Sequence, residues 1–518
     1  MDPKNKARRT FLFHPILIGI YPVLALYAFN RNETVFSAIQ LAFLTSLIVT
    51  FAILIVFLLI FRSWQKAAAP ASFTLLLFYS YGHLYDFAQN INLFGRVVGR
   101  DRFLIPIWIL LFILGIILLA RSKTPVLNTT LNTVSLFLVV FVVVQILLPE
   151  VQFANIKAGS SAEAVPAPNR PSVERDVYYI LVDAYSRQDV LQEVLDLDTR
   201  NFIAELKSLG FYVPDCAQSN YDQTLISMTA TLNMNYLEAF GLKNLDDKAK
   251  FEPYIQQNQV MERFKEMGYS IATFKSLYRM LDLPNSTYYY DYFKDASALN
   301  SPASVNFQYL FLKTTVLRSL VAFLERNQDI KVPSYLAAWL PTGNTRDSRE
   351  YRQYQQNLFA LDSLKEIPDL PGHKFVYAHL YIAHQPYVFY PDGRFHPFLQ
   401  QDEDAYHDQI IYANKALPEV MRAILAKSDP SPIIVLQSDH GFFDGPGRVR
   451  ILNAYYFPDG GNDALYATVT PVNTFRIIFN TYFGGQYDLL PDISKYTDEN
   501  QMLQETPSTC VGMTSAEK

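Results

Sequence analysis

Ser431-Pro-Ile-Ile-Val-Leu-Gln-Ser-Asp-His-Gly441 decides the reading of this chain. The run Ile433 to Leu436 is β-branched and does not alternate, so it reads as a strand buried on both faces. It ends abruptly in Asp439, His440 and Gly441. In an open α/β sheet, ligands sit just beyond the carboxyl ends of such strands. A carboxylate beside an imidazole there can ligate one metal ion, and a glycine lets the backbone turn away closely. The bland alternative is a strand-end Asp and His that only cap or hydrogen-bond.

Working outward, Val177-Tyr-Tyr-Ile-Leu-Val-Asp183 repeats the pattern of a buried strand ending in a carboxylate. Tyr269–Phe274 and Lys374–Leu380 read as further strands, the latter leading to His384. Helices are predicted over Thr199 to Leu209 with Gly210 as its C-terminal cap, over Pro253 to Met267, over Ala405 to Lys427, and from Thr470-Pro471 to about Phe483. This alternation predicts an α/β domain with a mainly parallel sheet covered on both faces. Asp183, His379, His384, Asp439 and His440 then fall at strand ends along one edge. Two carboxylates with imidazoles suit Zn²⁺ or Mn²⁺ better than Ca²⁺, which prefers oxygen alone.

A nucleophile is offered by Thr224, which opens a segment with Leu225, Met228 and Leu232 on one helical face. A hydroxyl at a helix N-terminus sits where free N–H groups favour an anion. The alternative role for Thr224 is a plain N-cap.

Bulk composition separates two regions. The chain has 518 residues, is 50% hydrophobic and only 18% charged, and carries a net charge of −5. That charge gives no sign of a nucleic-acid partner. Apolar segments dominate residues 1–150, with candidate spans at Phe11–Phe29, Val35–Phe61, Ser72–Ala88, Phe103–Ala120 and Leu131–Leu148. Ser72–Ala88 is the weakest, because it holds His83 and Asp86. The basic N-terminus, Arg62 with Lys66, and Arg121 with Lys123 place the N-terminus in the cytoplasm; Arg96, Arg100 and Arg102 disagree. Five spans put everything after Leu148 outside the cytoplasm. The first stretch lacks a cleavage site and reads as a retained helix. A Pro/Ala/Ser linker follows over 151–175, then a catalytic domain over 176–490 with an aromatic-rich, irregular insertion at 280–369, then a polar, loosely held tail over 491–518. The two cysteines, Cys216 and Cys510, do not fix the redox compartment.

Val182-Asp183, Thr224-Leu-Ile-Ser227, His384-Gln-Pro-Tyr387 and Ser438-Asp-His-Gly441, in that order, resemble the sulfatase-like branch of the alkaline phosphatase superfamily. Five spans followed by an external domain resemble the membrane-anchored phosphotransferases of the lipoteichoic acid synthase type. The resemblance implies metal ligands at Asp183, Thr224, Asp439 and His440, with Thr224 as nucleophile. It also implies a phosphoryl-contacting histidine at His384 and a substrate-side role for His379. True sulfatases carry Cys-x-Pro-Ser-Arg; Cys216-Ala-Gln-Ser-Asn220 lacks the Pro and the Arg, so Cys216 reads as an ordinary thiol. Many sulfatases have paired aspartates after the first strand, where this chain has Asp183-Ala184, which favours a single-metal site. The expectation is a metal-dependent phosphotransferase, extracytoplasmic on the cell membrane. It would move a lipid headgroup to an alcohol through a phospho-threonine. The alternatives are a hydrolase of phosphate or sulfate esters, and a non-catalytic membrane protein that keeps the fold. Lys275, Arg279 and Asn453 are candidate phosphate or acceptor contacts, with ordinary surface roles the favoured reading of each.

Overall fold

The computed structural model describes residues 11–31, 34, 36–89, 92–93, 96–97, 99–122, 124–147, 173–242, 250–276, 278–292, 302–327, 330, 332–333, 336, 339–340, 349–396, 402–498 and 502–511. Most of the expected linker lies outside the described residues, as does the side chain of Arg279. The chain divides into two compact units, Met1–Gln152 with Asp295–Arg349, and Phe153–Lys294 with Glu350–Lys518. Part of the aromatic-rich insertion thus groups with the apolar N-terminal unit.

In the first unit, α1 (His14–Asn30), α2 (Gln40–Phe61), α3 (Trp64–Gln89), α4 (Asp101–Arg121) and α5 (Thr124–Leu147) occupy the five apolar segments. A short hairpin of β1 (Asn92–Leu93) and β2 (Arg96–Val97) joins α3 to α4. Among the described residues, Phe36–Phe61, Asp101–Arg121 and Pro125–Leu147 are long and apolar enough to cross a membrane, and His14–Asn30 is shorter. A bent helix pair, Phe307–Thr314 with Arg318–Leu324, makes up to four. Five spans therefore exceed what length and apolarity alone establish, because α3 is diluted by polar residues. The helices nonetheless alternate in direction. At one end, His14 of α1 meets Ser72 of α3 (2.6 Å) and Asn128 of α5 (3.3 Å). At the other, Arg31 Nη1 donates to the Gln145 carbonyl (2.7 Å).

The second unit is built on a six-stranded sheet. Its strands are β3 (Val177–Val182), β4 (Ser270–Phe274), β5 (Tyr288–Tyr290), β6 (Lys374–Leu380), β7 (Ile433–Gln437) and β8 (Asn453–Tyr456). Their order is β5-β4-β6-β3-β7-β8, all parallel except β8, which runs against β7. Every residue of β3, β6 and β7 is buried, as a continuous apolar run requires. Tyr178, Ile180 and Val182 pack one face with Phe202, Leu364 and Ile410; Tyr179 and Leu181 pack the other with Met228, Phe264 and Phe475. The helix expected over Pro253 to Met267 is two, Glu252–Gln256 and Gln259–Glu266. Asn258 breaks the run and caps the second, accepting from Met261 N at 2.9 Å.

The region after Lys495 differs from its expected looseness. β9 (Ser494–Thr497) and β10 (Leu503–Thr506) form a hairpin, and Cys510 is joined to Cys216 in a disulfide, so Cys216 is no ordinary thiol. Lys495 N donates to Asn220 O (2.9 Å), and Thr497 N donates to Asp222 Oδ2 (2.8 Å). Polar composition hides this, because the strap is held by hydrogen bonds, the Lys495–Glu238 ion pair and one bridge more than by apolar burial.

Candidate metal centre and active site

Register alone sets the centre. β3 lies between β6 and β7, with Leu181 opposite both His379 and Gln437. Two residues on, Asp183 leaves β3 where Asp439 leaves β7. Asp183, Asp439 and His440 are buried, and one ligand atom from each lies within 4.8 Å of the others. Thr224 is the first residue of the helix Thr224–Leu232, and its hydroxyl is 3.2 Å from His440 Nε2. The first bond of that helix runs from Ser227 N to Gln223 O (3.0 Å), so the N–H groups before it are free to face an anion.

The donor set fits a cation. Asp183 Oδ1 and Asp439 Oδ2 are buried and have no hydrogen-bond partner. Each is 3.6 Å from His440 Nε2. Two ligands held at roughly 2.1 Å by one tetrahedral ion lie about 3.4 Å apart. The separations 3.6, 3.6 and 3.2 Å are edges of that size. Unpaired buried carboxylate oxygens cost several kcal/mol in the absence of a counter-charge, on the order given by ion desolvation.

The surrounding bonds fix each ligand. His440 Nδ1 donates to Gly441 O (2.8 Å), which leaves Nε2 with its lone pair toward the centre. Ser227 Oγ donates to Asp439 O (2.9 Å), tying the helix Thr224–Leu232 to the loop after β7. Ala184 N donates to Asp439 Oδ1 (3.3 Å), with Ala184 held at φ 64° and its carbonyl bonded by Tyr406 OH (2.9 Å). A left-handed alanine costs roughly 1–2 kcal/mol. At Gly441 a Cβ would meet Ser186 Oγ at 2.8 Å and Arg448 O at 3.2 Å, so close approach is what requires glycine there.

His379 lies behind Asp183, 4% exposed, donating from Nε2 to Asp183 Oδ2 (3.0 Å). Tyr381 OH is 3.2 Å from His379 Nδ1 and 2.7 Å from Ser276 Oγ. Burial and the Asp183 charge push the Tyr381 phenol well up, so it stays protonated and donates to His379. Both ring nitrogens of His379 are thereby engaged, which leaves none for a substrate. Burial raises the Asp183 carboxyl, but the charge of His384 and the bond from His379 outweigh it and hold it below the usual carboxylate range. His384 lies at the rim, its ring 6.4 Å from that of His440, with Nδ1 donating to Gln385 O (2.6 Å).

Two further expectations change. Asn453 is buried in a network with Gln437 and Tyr455, so it contacts no substrate. Lys275 Nζ is bound to Asp282 (2.5 Å). Sequence reading missed Tyr381 and Ser276; the i, i+2 spacing of His379 and Tyr381 past a strand was the available signal.

No family model matches the sequence, and no curated protein matches it. Solved structures do. Lipooligosaccharide phosphoethanolamine transferase A from Neisseria meningitidis is 12% identical over 87% of this chain and 89% of its own, with a TM-score of 0.36. The C-terminal periplasmic domain of EcEptC from Escherichia coli is 12% identical over 66% of this chain and 94% of its own, with a TM-score of 0.38. The lipoteichoic acid synthase LtaP from Listeria monocytogenes is 11% identical over 69% and 90%, with a TM-score of 0.37.

Proposed function

We propose that this protein is a membrane-anchored, metal-dependent phosphotransferase that moves a phospho-headgroup from a lipid-type phosphodiester to an alcohol. The observation that carries the reading is the pair of orphaned oxygens, Asp183 Oδ1 and Asp439 Oδ2, converging with Thr224 and His440. Asp183, Asp439, His440 and the Thr224 oxygen would hold one divalent ion, Mn²⁺ or Zn²⁺, in a mixed nitrogen and oxygen set. The ion, when bound, supplies the charge that eases loss of the Thr224 proton and offsets charge on the phosphoryl oxygens.

Thr224 Oγ1 attacks phosphorus, the bond to the lipid oxygen breaks, and His384 gives that oxygen a proton. The product is a phospho-threonine at a helix N-terminus, where free N–H groups favour its negative charge. In the second half His384 takes the proton from the acceptor alcohol as that alcohol attacks phosphorus and releases Thr224. His379 and Tyr381 act as positioning residues that orient Asp183.

The membrane part is read as five crossings with the catalytic unit outside the cytoplasm. The alternation of α1 to α5 supports it, as does the basic N-terminus. The Cys216–Cys510 bridge supports the same side, since disulfides persist in oxidising compartments.

The test is incubation of purified protein with a phospholipid, Mn²⁺ or Zn²⁺ and a sugar alcohol. Acid quenching should trap the headgroup phosphate as a diester on Thr224, and the alcohol should acquire the phospho-headgroup. Release of free headgroup at every alcohol concentration would make the protein a hydrolase. Absence of any covalent phosphate would remove Thr224 from its role.

A further inference from the structure

The helix–break–helix over 302–326 belongs to the apolar unit, although the chain on both sides of 295–349 belongs to the catalytic unit. Its two halves, Pro302–Thr314 and Arg318–Arg326, meet at a sharp bend; the axes of Phe307–Thr314 and Arg318–Leu324 differ by 118°. At 1.5 Å per residue the halves reach roughly 20 and 13 Å, short of the roughly 30 Å of a bilayer core. The pair therefore enters and leaves from one side.

Its docking is specific. Val316 N donates to Phe78 O of α3 (3.0 Å), and a Cβ on Gly82 would meet Lys313 O at 2.2 Å, so Gly82 permits the contact. Arg318 pairs with Asp86 of α3 (2.8 Å) and lies 4.3 Å from the Tyr85 ring centre. Ser319 Oγ donates to Asp101 of α4 (2.9 Å), which also accepts from Tyr81 OH (2.6 Å). These anchors sit where α3 ends and α4 begins, the same end of the bundle as the close of α5. Asp86, one of the two residues that weaken α3 as a span, meets an arginine from this returning segment.

The inward face is filled by Phe307, Phe311, Val321 and Leu324. The outward face is apolar too: Leu310, Val316, Leu320 and Phe323 are 45, 38, 40 and 48% exposed. A short helix facing water puts polar groups outward; one apolar on both faces belongs among lipid or inside a protein. The outward face sits on a bundle whose α2 and α4 expose Ile48, Phe51, Ile109 and Leu110 in the same way.

We propose that residues 302–326 form a re-entrant foot. Leu310, Val316, Leu320 and Phe323 lie among the acyl chains of the leaflet on the catalytic side. This rests on the membrane reading above. It gives the apolar unit a further hold on the bilayer beside α1 to α5.

Spin labels at Leu320→Cys and Phe323→Cys test it, with Leu111→Cys in α4 as the lipid reference and Lys207→Cys as the water reference. Cys216 and Cys510 are bridged and take no label. The full chain is placed in vesicles of phosphatidylethanolamine and phosphatidylglycerol. Oxygen is expected to relax the labels at Leu320 and Phe323 several-fold more than a water-soluble nickel chelate does, as at Leu111. Water-like access at 320 and 323 with lipid-like access at 111 overturns the foot and leaves the membrane reading intact. Water-like access at 111 overturns both. Protection from both reagents at 320 and 323 means a protein covers the face, and overturns the lipid assignment.

Discussion

Two buried polar clusters lie two residues apart on one strand end, and they are built on opposite principles. Gln437 closes one: it accepts from Tyr179 OH (2.9 Å) and donates to Asn453 (3.0 Å), Thr474 (3.2 Å) and Tyr455 (3.3 Å). Asp439 opens the other, with Oδ2 left alone beside the equally lone Asp183 Oδ1. The first cluster is complete within the protein and specifies how β7, β8 and the helix Pro471–Tyr482 pack. The second leaves two acceptors without a protein donor, the pattern that a cation site requires.

The sharpest break of this contrast is mutational. Thr224→Ala and Asp439→Asn are expected to lower turnover by on the order of 10⁴-fold or more, the scale of losing a nucleophile or its activator. The melting temperature of metal-free Asp439→Asn should stay level or rise, because an unpaired buried charge is removed. Gln437→Met should do the reverse, losing roughly 2–4 kcal/mol of stability with turnover per folded molecule kept. Turnover assays beside calorimetry read both; a Gln437 variant that is stable but inactive would erase the distinction.

Metal linkage sharpens it further. Mn²⁺ or Zn²⁺ at about a hundred times its dissociation constant should stabilise the protein by about 2.7 kcal/mol. Asp183→Asn and Asp439→Asn should show no such gain, and Gln437→Met should show it in full. A smaller effect is expected for Tyr381→Phe, which strips His379 of its donor. It should weaken metal binding about 10–100-fold, read by titration calorimetry, with little change in melting temperature.

The smallest effect concerns an ordinary ion pair. Burial pulls the Asp189 carboxyl up, but Arg187 and Arg450 outweigh it and hold it low. Its folded pKa lies below the unfolded value of about 3.9. Its contribution is therefore complete above that value and is lost as pH falls through the folded one. Asp189→Asn should flatten the acid limb of the stability curve and leave turnover at neutral pH unchanged.

Much of this was readable because it followed from strand periodicity. The apolar runs ending in Asp183 and Asp439 needed only the rule that parallel strands end along one edge, and the structure adds the register that sets the carboxylates side by side. What escaped were effects of long-range pairing. Nothing near Thr497 announces a bond to Asp222, and the Cys216–Cys510 bridge joins positions 294 residues apart. His379 suggested an open substrate contact because a lone sequence does not show that Tyr381 occupies its second nitrogen.

The hairpin and bridge also bear on how the protein is made. The stretch just before Thr224 gains Lys495, Thr497 and Cys510 as partners only after more than half of the chain has followed it out of the ribosome. While the chain is still emerging, the loop ahead of the Thr224–Leu232 helix lacks these braces. On the phosphotransferase reading proposed above, reactivity of the Thr224 hydroxyl would thereby be deferred until synthesis has passed Cys510 and the bridge has closed.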